Sequence, residues 1–412
     1  MPKRGLILLA GMLVGTLPCG AATSQSAPSQ VLNNQVQLGD VFSTQTLNVE
    51  TVTDQTVGES HASGNQYQAS TDGQSLDIRS NQTATGATRG DTRLNVATNS
   101  GKVTAIKTTA VGNSGDVSVV HGVLTGVLTQ VNAAAPVASL SHIEAPHGKA
   151  GDVDTLTQAG GNSHSISLSN ATAGLRVNQS NHGQVTSNGG GVYGYVSGRA
   201  QFQAQTIAND VTYVGEANSA ARIATSQQNE TDLTQAAQFT AFGQVQEART
   251  SATVTGNNLD AVNQGFLTDV SSNQHNSSYL RAQSDTSAAS FGAVTADAHG
   301  TGNSLAVGDI GGELVLDTTQ TNEGGGIEAL ATTTGGDGFD AFATADAAGN
   351  AVTGYACSDC SGHMTISNHQ TNSADVGATA TTNVTGTTRS VTGISNAVGN
   401  TATYFVSKPG SH

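Results

Sequence analysis

The chain has 412 residues, of which 11% are charged and 4% aromatic, with 50 glycines and no tryptophan. Its formal charge of -15 repels nucleic acid and anionic lipid headgroups. The length would hold two or three ordinary domains, but large apolar side chains are too sparse for a conventional globular core.

The chain opens with "MPKRGLILLAGMLVGTLPCGAATS". Lys3 and Arg4 form a basic start. Gly5 to Leu17 is an apolar stretch too short to span a bilayer comfortably, and Ala21 and Ala22 supply small residues for cleavage. Residues 1–22 are expected to be a secretory signal peptide. Cys19 raises a lipoprotein alternative, against which stands Pro18 in the place of a small residue. Removing Lys3 and Arg4 takes the charge from -15 to -17. Residues 23–34 read as a short polar segment. No later stretch is long and apolar enough for a membrane-spanning helix.

From Gln35 the sequence keeps a clock. A Gln, followed two residues on by Asn or a degenerate equivalent, stands at positions 35, 82, 130, 179, 227, 274, 320 and 370. The intervals are 47, 48, 49, 48, 47, 46 and 50 residues. A second marker, Gly-Asn, begins at Gly64, Gly112, Gly161, Gly256, Gly302, Gly349 and Gly399, with Ala208-Asn209 filling the one gap. Each lies 28 to 31 residues after its Gln. Eight repeats of about 48 residues, covering 35–406, decide the architecture before any other feature. Residues 407–412 are left as a tail.

Within each period the apolar residues alternate with period two. Leu76 and Ile78, Leu314 and Leu316, and Met364 and Ile366 precede their Gln by six and four positions. Val41, Val185, Leu233, Leu280 and Val376 follow theirs by six. Ala200, Phe202 and Ala204 approach a Gly-Asn, as do Phe339, Ala341, Ala343, Ala345 and Ala347. Period two means strands. Gly-Asn reads as a corner tolerating positive φ. Gln and Asn at one position of every repeat would stack as an amide ladder, so the recurring Gln-Thr-Asn has a structural purpose.

The fold class is therefore all-β, a β-solenoid or β-helix-like array with a narrow Ala and Val interior. Forty-eight residues make one large three-sided coil or two coils of about twenty-four, and the large size favours two. The array is then roughly 40 Å or 80 Å long. Its ends are exposed strand edges needing caps or partners. Tyr404, Phe405 and Val406 close it with an apolar cluster that is either a packed last strand or a docking edge.

No chemistry-bearing constellation stands out, so the chain reads as no enzyme, with no catalytic, metal or cofactor residues assigned. Gly335 to Ala343, "GGDGFDAFA", matches one calcium-binding nonapeptide, whereas that chemistry needs successive copies. Asp337 and Asp340 are the nearest carboxylate cluster for a carbohydrate-active β-helix. Cys357 and Cys360, in "CSDC" with His363 three residues on, favour a local disulfide in an exported chain; free thiols, zinc or redox use are the alternatives. "GNSGD", Gly112 to Asp116, has the look of a nucleophile loop but coincides with a repeat marker.

The signal, the polar Asn/Gln/Thr/Ala/Gly array and the "GN…TTQTN…A" cadence, from "MPKRGLILLAGML" to "ATYFVSKPG", together resemble the holdfast anchor (holdfast attachment) protein D family of stalked alphaproteobacteria. The resemblance implies an exported protein at the cell surface or outer membrane of the pole. It would anchor the holdfast, an adhesive polysaccharide, directly or indirectly. The implied partners are a sister anchor protein and a lipoprotein export factor, with self-association in addition and no nucleic acid. The polar acidic surface suits a hydrated polysaccharide, while the absence of Trp departs from sugar sites built on aromatic stacking. A curli-like amyloid adhesin subunit and a β-helix carbohydrate-active enzyme are the rival readings.

Overall fold

The structure, a computed structural model, describes residues 27–216, 218–357 and 363–407. The expected signal peptide, Cys360 and residues 408–412 lie outside the described residues. Eight coils follow one another. The first is β1 (Ser29–Gln37), β2 (Val41–Thr51) and β3 (Gln55–Asp72). The second is β4 (Leu76–Ala84), β5 (Thr88–Asn99) and β6 (Val103–Val120), and the third β7 (Val123–Asn132), β8 (Val137–Ala150) and β9 (Asp152–Ser169). In the next four coils the second and third strands run together. These coils are β10 (Thr172–Asn181) with β11 (Val185–Gly215), β12 (Ala220–Asn229) with β13 (Leu233–Asn263), β14 (Leu267–Asn276) with β15 (Tyr279–Asp309), and β16 (Glu313–Asn322) with β17 (Ile327–Cys357). The eighth, β18 (His363–Asn372), β19 (Val376–Val384) and β20 (Ser390–Ser407), is split again.

Each strand pairs in parallel with its counterpart one repeat away: Gln35 with Gln82, Gln82 with Gln130, Gln320 with Gln370. One repeat is therefore one coil. The expectation of two coils of about twenty-four residues is corrected, and eight coils at about 4.8 Å make a rod of roughly 40 Å. The array is an all-β solenoid, an eight-stranded sheet carrying the Gln strands and a twelve-stranded sheet carrying the rest. Its first rung begins at Ser29, ahead of Gln35, because Val31 stacks on Ile78 and packs against the core.

Each coil is flattened into two layers. Leu76, Ile78, Leu124 and Leu128 of the Gln sheet face Val117, Val119, Ile166 and Leu168 from the second half of the third strand. At the other end, Leu94, Ile143 and Tyr193 face Ile106, Val153, Ala200 and Phe202. Between them run columns of small residues such as Ala204, Ala252, Ala298 and Ala345. Layers this close leave no room for large side chains at the centre, and amides fill it.

Three amide ladders run through this centre. Gln82 donates its Nε2 to Gln35 Oε1 at 2.8 Å and, across the coil, to the Ser114 carbonyl at 2.9 Å. The pattern repeats at Gln130, Gln179, Gln227, Gln274, Gln320 and Gln370. The Asn of each Gly-Asn answers from the opposite layer. Asn113 Nδ2 donates to Asn162 Oδ1 at 2.8 Å and to the Val131 carbonyl at 3.0 Å, next to Gln130. That chain is unbroken from Asn65 to Asn400. The Asn two residues after each Gln forms the third ladder, from Asn132 to Asn372.

At the Gly-Asn pairs of the inner coils both residues are buried, which breaks the alternation and marks the corner, for example at Gly112 and Asn113. None of these glycines has positive φ; the expectation of a positive-φ corner is corrected. Gly is needed there for close approach: a Cβ on Gly302 would lie 2.4 Å from the Gly349 carbonyl oxygen. The left-handed residues Gly73, His121, Asn170 and Asn218 stand instead at the turn into the next coil. Phe339 also departs from expectation. It is exposed beneath Arg389, because the strand turns before Asp340 and Ala341 resumes the inward face.

Gln179→Ala would leave Gln130 Oε1, the Asp210 carbonyl and Gln227 Nε2 short of partners in the interior. Denaturant unfolding is expected to show a loss of about 3 kcal/mol or more, against about 0.5 kcal/mol or less for the outward-facing neighbour Asn178→Ala.

Candidate functional site

Two kinds of surface are available on this rod: its open ends and its outer faces. At the first coil the inward residues Val31, Leu47 and Val49 are only half-buried, since no coil lies beyond them. Leu32, Leu38 and Phe42 stand exposed beside them, Leu32 at 79%. At the last coil, Val391, Tyr404 and Val406 take up inward positions over Ala341, Gly354 and Ala356, and all three are open to solvent. Phe405 stacks flat on Tyr355, ring centroids 5.6 Å apart. The terminal Tyr-Phe-Val cluster is thus both a paired last strand and an exposed edge. Among the described residues the backbone polar groups along both edges have no strand beyond them, a template for pairing with another chain.

Along the rod, the outer face of the Gln sheet is hollowed. One hollow of about 760 Å³ is lined by Leu32, Asn34, Asp77, Arg79, Asn81 and Thr129 among others. Two more, of about 490 and 380 Å³, adjoin Arg176, Arg222, Ser226, Asn273 and Asp317. Arg79 and Arg176 belong to one column of this face, and Arg222 is ion-paired to Asp269 at 3.2 Å. The result is a shallow polar trough along the rod axis, with three guanidinium groups in an otherwise acidic protein. It escapes sequence reading because outward positions drift from repeat to repeat. Arg79, Arg176 and Arg222 each stand directly after an inward apolar residue, Ile78, Leu175 and Ala221, an arrangement that every alternating strand offers and that therefore singles out none of them.

The motifs singled out in the sequence serve coil stacking. Asp337 Oδ1 accepts from the Thr387 amide at 2.8 Å, and Asp340 pairs with Arg389, whose guanidinium holds that carboxyl below the usual carboxylate range. Both aspartates of the calcium-like nonapeptide thus point at the next coil. In Gly112 to Asp116, Asn113 is a ladder residue, the Ser114 carbonyl receives Gln82, and Asp116 accepts from Gln68. Cys357 ends β17, half-buried, while Cys360 lies outside the described residues. His363 opens β18 with its Nδ1 3.5 Å from Glu313, away from any metal-binding cluster among the described residues.

Two buried ionisable groups have opposite effects. Asp309 is fully buried and accepts from Thr268 (2.7 Å) and the amides of Gly311 and Gly312. Burial still raises its pKa, so acidification favours its folded form. His164 is buried under Tyr67, whose hydroxyl lies 2.5 Å from its Nε2. Tyr67 spans an intervening coil to get there, over Gly115, where a Cβ would meet its ring at 2.5 Å. Burial lowers the His164 pKa to about 4, against a backbone bond at Ser165 that raises it.

A model of the family described as holdfast attachment protein D matches residues 50–326 of the chain. No curated protein and no solved structure gives a significant match.

Because His164 takes up a proton more readily when unfolded, its contribution is fully present above about pH 6.5 and is lost as the pH falls through about 4. Across that window the wild type is expected to lose about 3 kcal/mol more than His164→Leu. Chemical denaturation at a series of pH values checks this, and parallel curves would contradict it.

Proposed function

The chain belongs to the holdfast attachment protein D family, and from that premise we propose that it is an exported structural protein anchoring the holdfast polysaccharide to the cell envelope at the pole. The observation that carries this reading is the family match over residues 50–326, which takes in most of the array. The rod suits the task. A parallel solenoid has two unlike ends and a long outer face, so it can hold one component at an end and another along its side. A sister anchor protein and a lipoprotein export factor are the proposed neighbours at the envelope, with residues 1–22 as the export signal. Copies of the chain associate through the open ends, as the unpaired edges favour. The same in-register amide ladders favour a second reading, an amyloid-like surface subunit.

Polysaccharide contact is placed in the trough of the Gln sheet. Its Asn, Ser and Thr side chains offer a hydrogen-bonding group at every rung, and Arg79, Arg176 and Arg222 provide planar forks for carboxylates or hydroxyls. Among the described residues there is no Trp, so stacking on an indole does not contribute.

Deletion of the gene is expected to leave synthesis of the adhesive intact and its attachment lost. Cells washed from glass leave stained holdfast behind, and free holdfast is found in the medium. Holdfast remaining firmly on the poles would sink the anchoring role. Replacing Arg79 and Arg176 with Ala is expected to weaken binding of the rod to purified holdfast polysaccharide at least tenfold without changing its unfolding midpoint. Unaltered binding would make the contact indirect.

A further inference from the structure

The open ends are complementary in a way that selects one register. In the Gln ladder every amide donates toward the N-terminal coil. In the Gly-Asn ladder every amide donates toward the C-terminal coil. The last coil therefore ends with Gln370 Oε1 as an acceptor and Asn400 Nδ2 as a donor. The first coil begins with a Gln35 Nε2 hydrogen to give, its other bond being spent on the Gln66 carbonyl, and with Asn65 Oδ1 to receive. An acceptor faces a donor in both ladders only when the last coil of one copy meets the first coil of another.

We propose that copies of this chain stack head to tail in a single register, with the eighth coil of one copy pairing to the first coil of the next as though it were a ninth. Gln370 then lies against Gln35, and Asn400 against Asn65. This rests on the reading that copies associate through their ends, and adds which residues meet.

The side-chain columns support that register independently. Continuing the pairing through all eight coils brings Arg389, one residue before Ser390, against Asp54, one residue before Gln55. Asp54 is exposed, its carboxylate 3.5 Å from Lys102 Nζ on the second coil, and Arg389 is exposed beside Asp340. The guanidinium would therefore sit between Asp340 below and Asp54 above, with Asp54 shared between Arg389 and Lys102. The first coil carries Asp40, Glu50, Asp54, Glu59 and Asp72 with no Lys or Arg, whereas the last carries only Asp375 and Arg389. Sizes also alternate: Tyr404 meets Ala69, and Ala402 meets Tyr67. Asn33 and Asn368 share a column that is Ser80, Leu128, Val177, Thr225, Ser272 and Thr318 on the rungs between. Amides thus occupy this column at the two ends alone. One pairing opposes the stack: Asp375 falls against Asp40. A head-to-tail contact between unlike ends does not close on itself, and the assembly is an open filament.

Paired cysteines on the outward face test the register, since in-register neighbours across a parallel ladder lie within disulfide reach. In a chain with Cys357 and Cys360 changed to Ser, Asn34→Cys and His369→Cys are made separately, then mixed and oxidised. The expected product is a covalent dimer that needs both variants. Leu32→Cys mixed with His369→Cys, a slip of two residues that keeps the same face, is expected to give at least tenfold less. Equal or greater yield from the slipped pair overturns the register while leaving end-to-end association standing. Monomers alone in sedimentation, with no cross-link from either pair, overturn the association as well. Arg389→Glu is expected to weaken the assembly at least tenfold, and Asp54→Arg in the same chain to restore it; a single variant that assembles like the parent counts against the stack.

Discussion

The rest of the structure depends on a reciprocal clamp between two amides. A Gln from one layer bonds the backbone beside the Gly-Asn of the other, and that Asn bonds the backbone beside the next Gln. Both side chains also hold their own kind on neighbouring rungs. Each interior amide of the clamp is thereby nearly saturated, the condition under which a polar interior adds specificity instead of instability. A strand displaced by two residues would put an apolar side chain against an orphaned amide, at about 1–3 kcal/mol for each group left unpaired. Alternation alone forbids slips by one residue; the clamp forbids slips by two.

The same clamp sets the thickness of the coil. Layers close enough for Gln to span the interior admit Ala and Val at the centre, and larger residues only where a neighbouring rung gives way. Phe291 is accommodated by Gly335 and Gly338, where a Cβ would lie 2.6 and 2.4 Å from its ring. Tyr67 relies on Gly115 in the same manner. A few of the chain's glycines are therefore counterparts of bulky side chains one coil away, and more of them, such as Gly112, Gly256 and Gly302, let the backbones of neighbouring coils approach, so their abundance is a property of packing as much as of turns. Ala208, the one departure from Gly at the corner, is fully buried beside Ala110, Val137, Ala159 and Val185.

Much of this was legible in the sequence, and what was not has a physical cause. Gln35 through Gln370 marked every rung, and period-two apolar residues named most inward positions, such as Leu76, Ile78, Leu280 and Leu316, whereas Leu233 missed by one, Thr234 taking the buried place beside Val185 and Leu280. The size of the coil was misjudged because forty-eight residues look too many for one turn, and Gln and Gly-Asn do not announce themselves as partners. They are the two halves of one contact, and their offset of 28 to 31 residues is the path from one layer to the other. The role of the corner glycines was misread because composition cannot tell positive φ from close approach. Phe339 was assigned inward because alternation does not reveal where a strand turns. The trough was invisible, since Arg79, Arg176 and Arg222 follow no rule that spacing detects. Attachment itself was read from a resemblance to a family and not from any residue's chemistry.

The hydrogen bonds that join coil to coil lie along the rod axis, so the covalent chain and its weakest links are loaded differently by a pull. Tension between the two ends draws on those bonds directly, and it does so first at the terminal coils, where only one neighbour holds on. A coil that peels away exposes roughly 160 Å of extended chain while the coils behind it stay paired. A rod built this way would lengthen in steps under tension instead of parting at once, each step dissipating work as one coil opens.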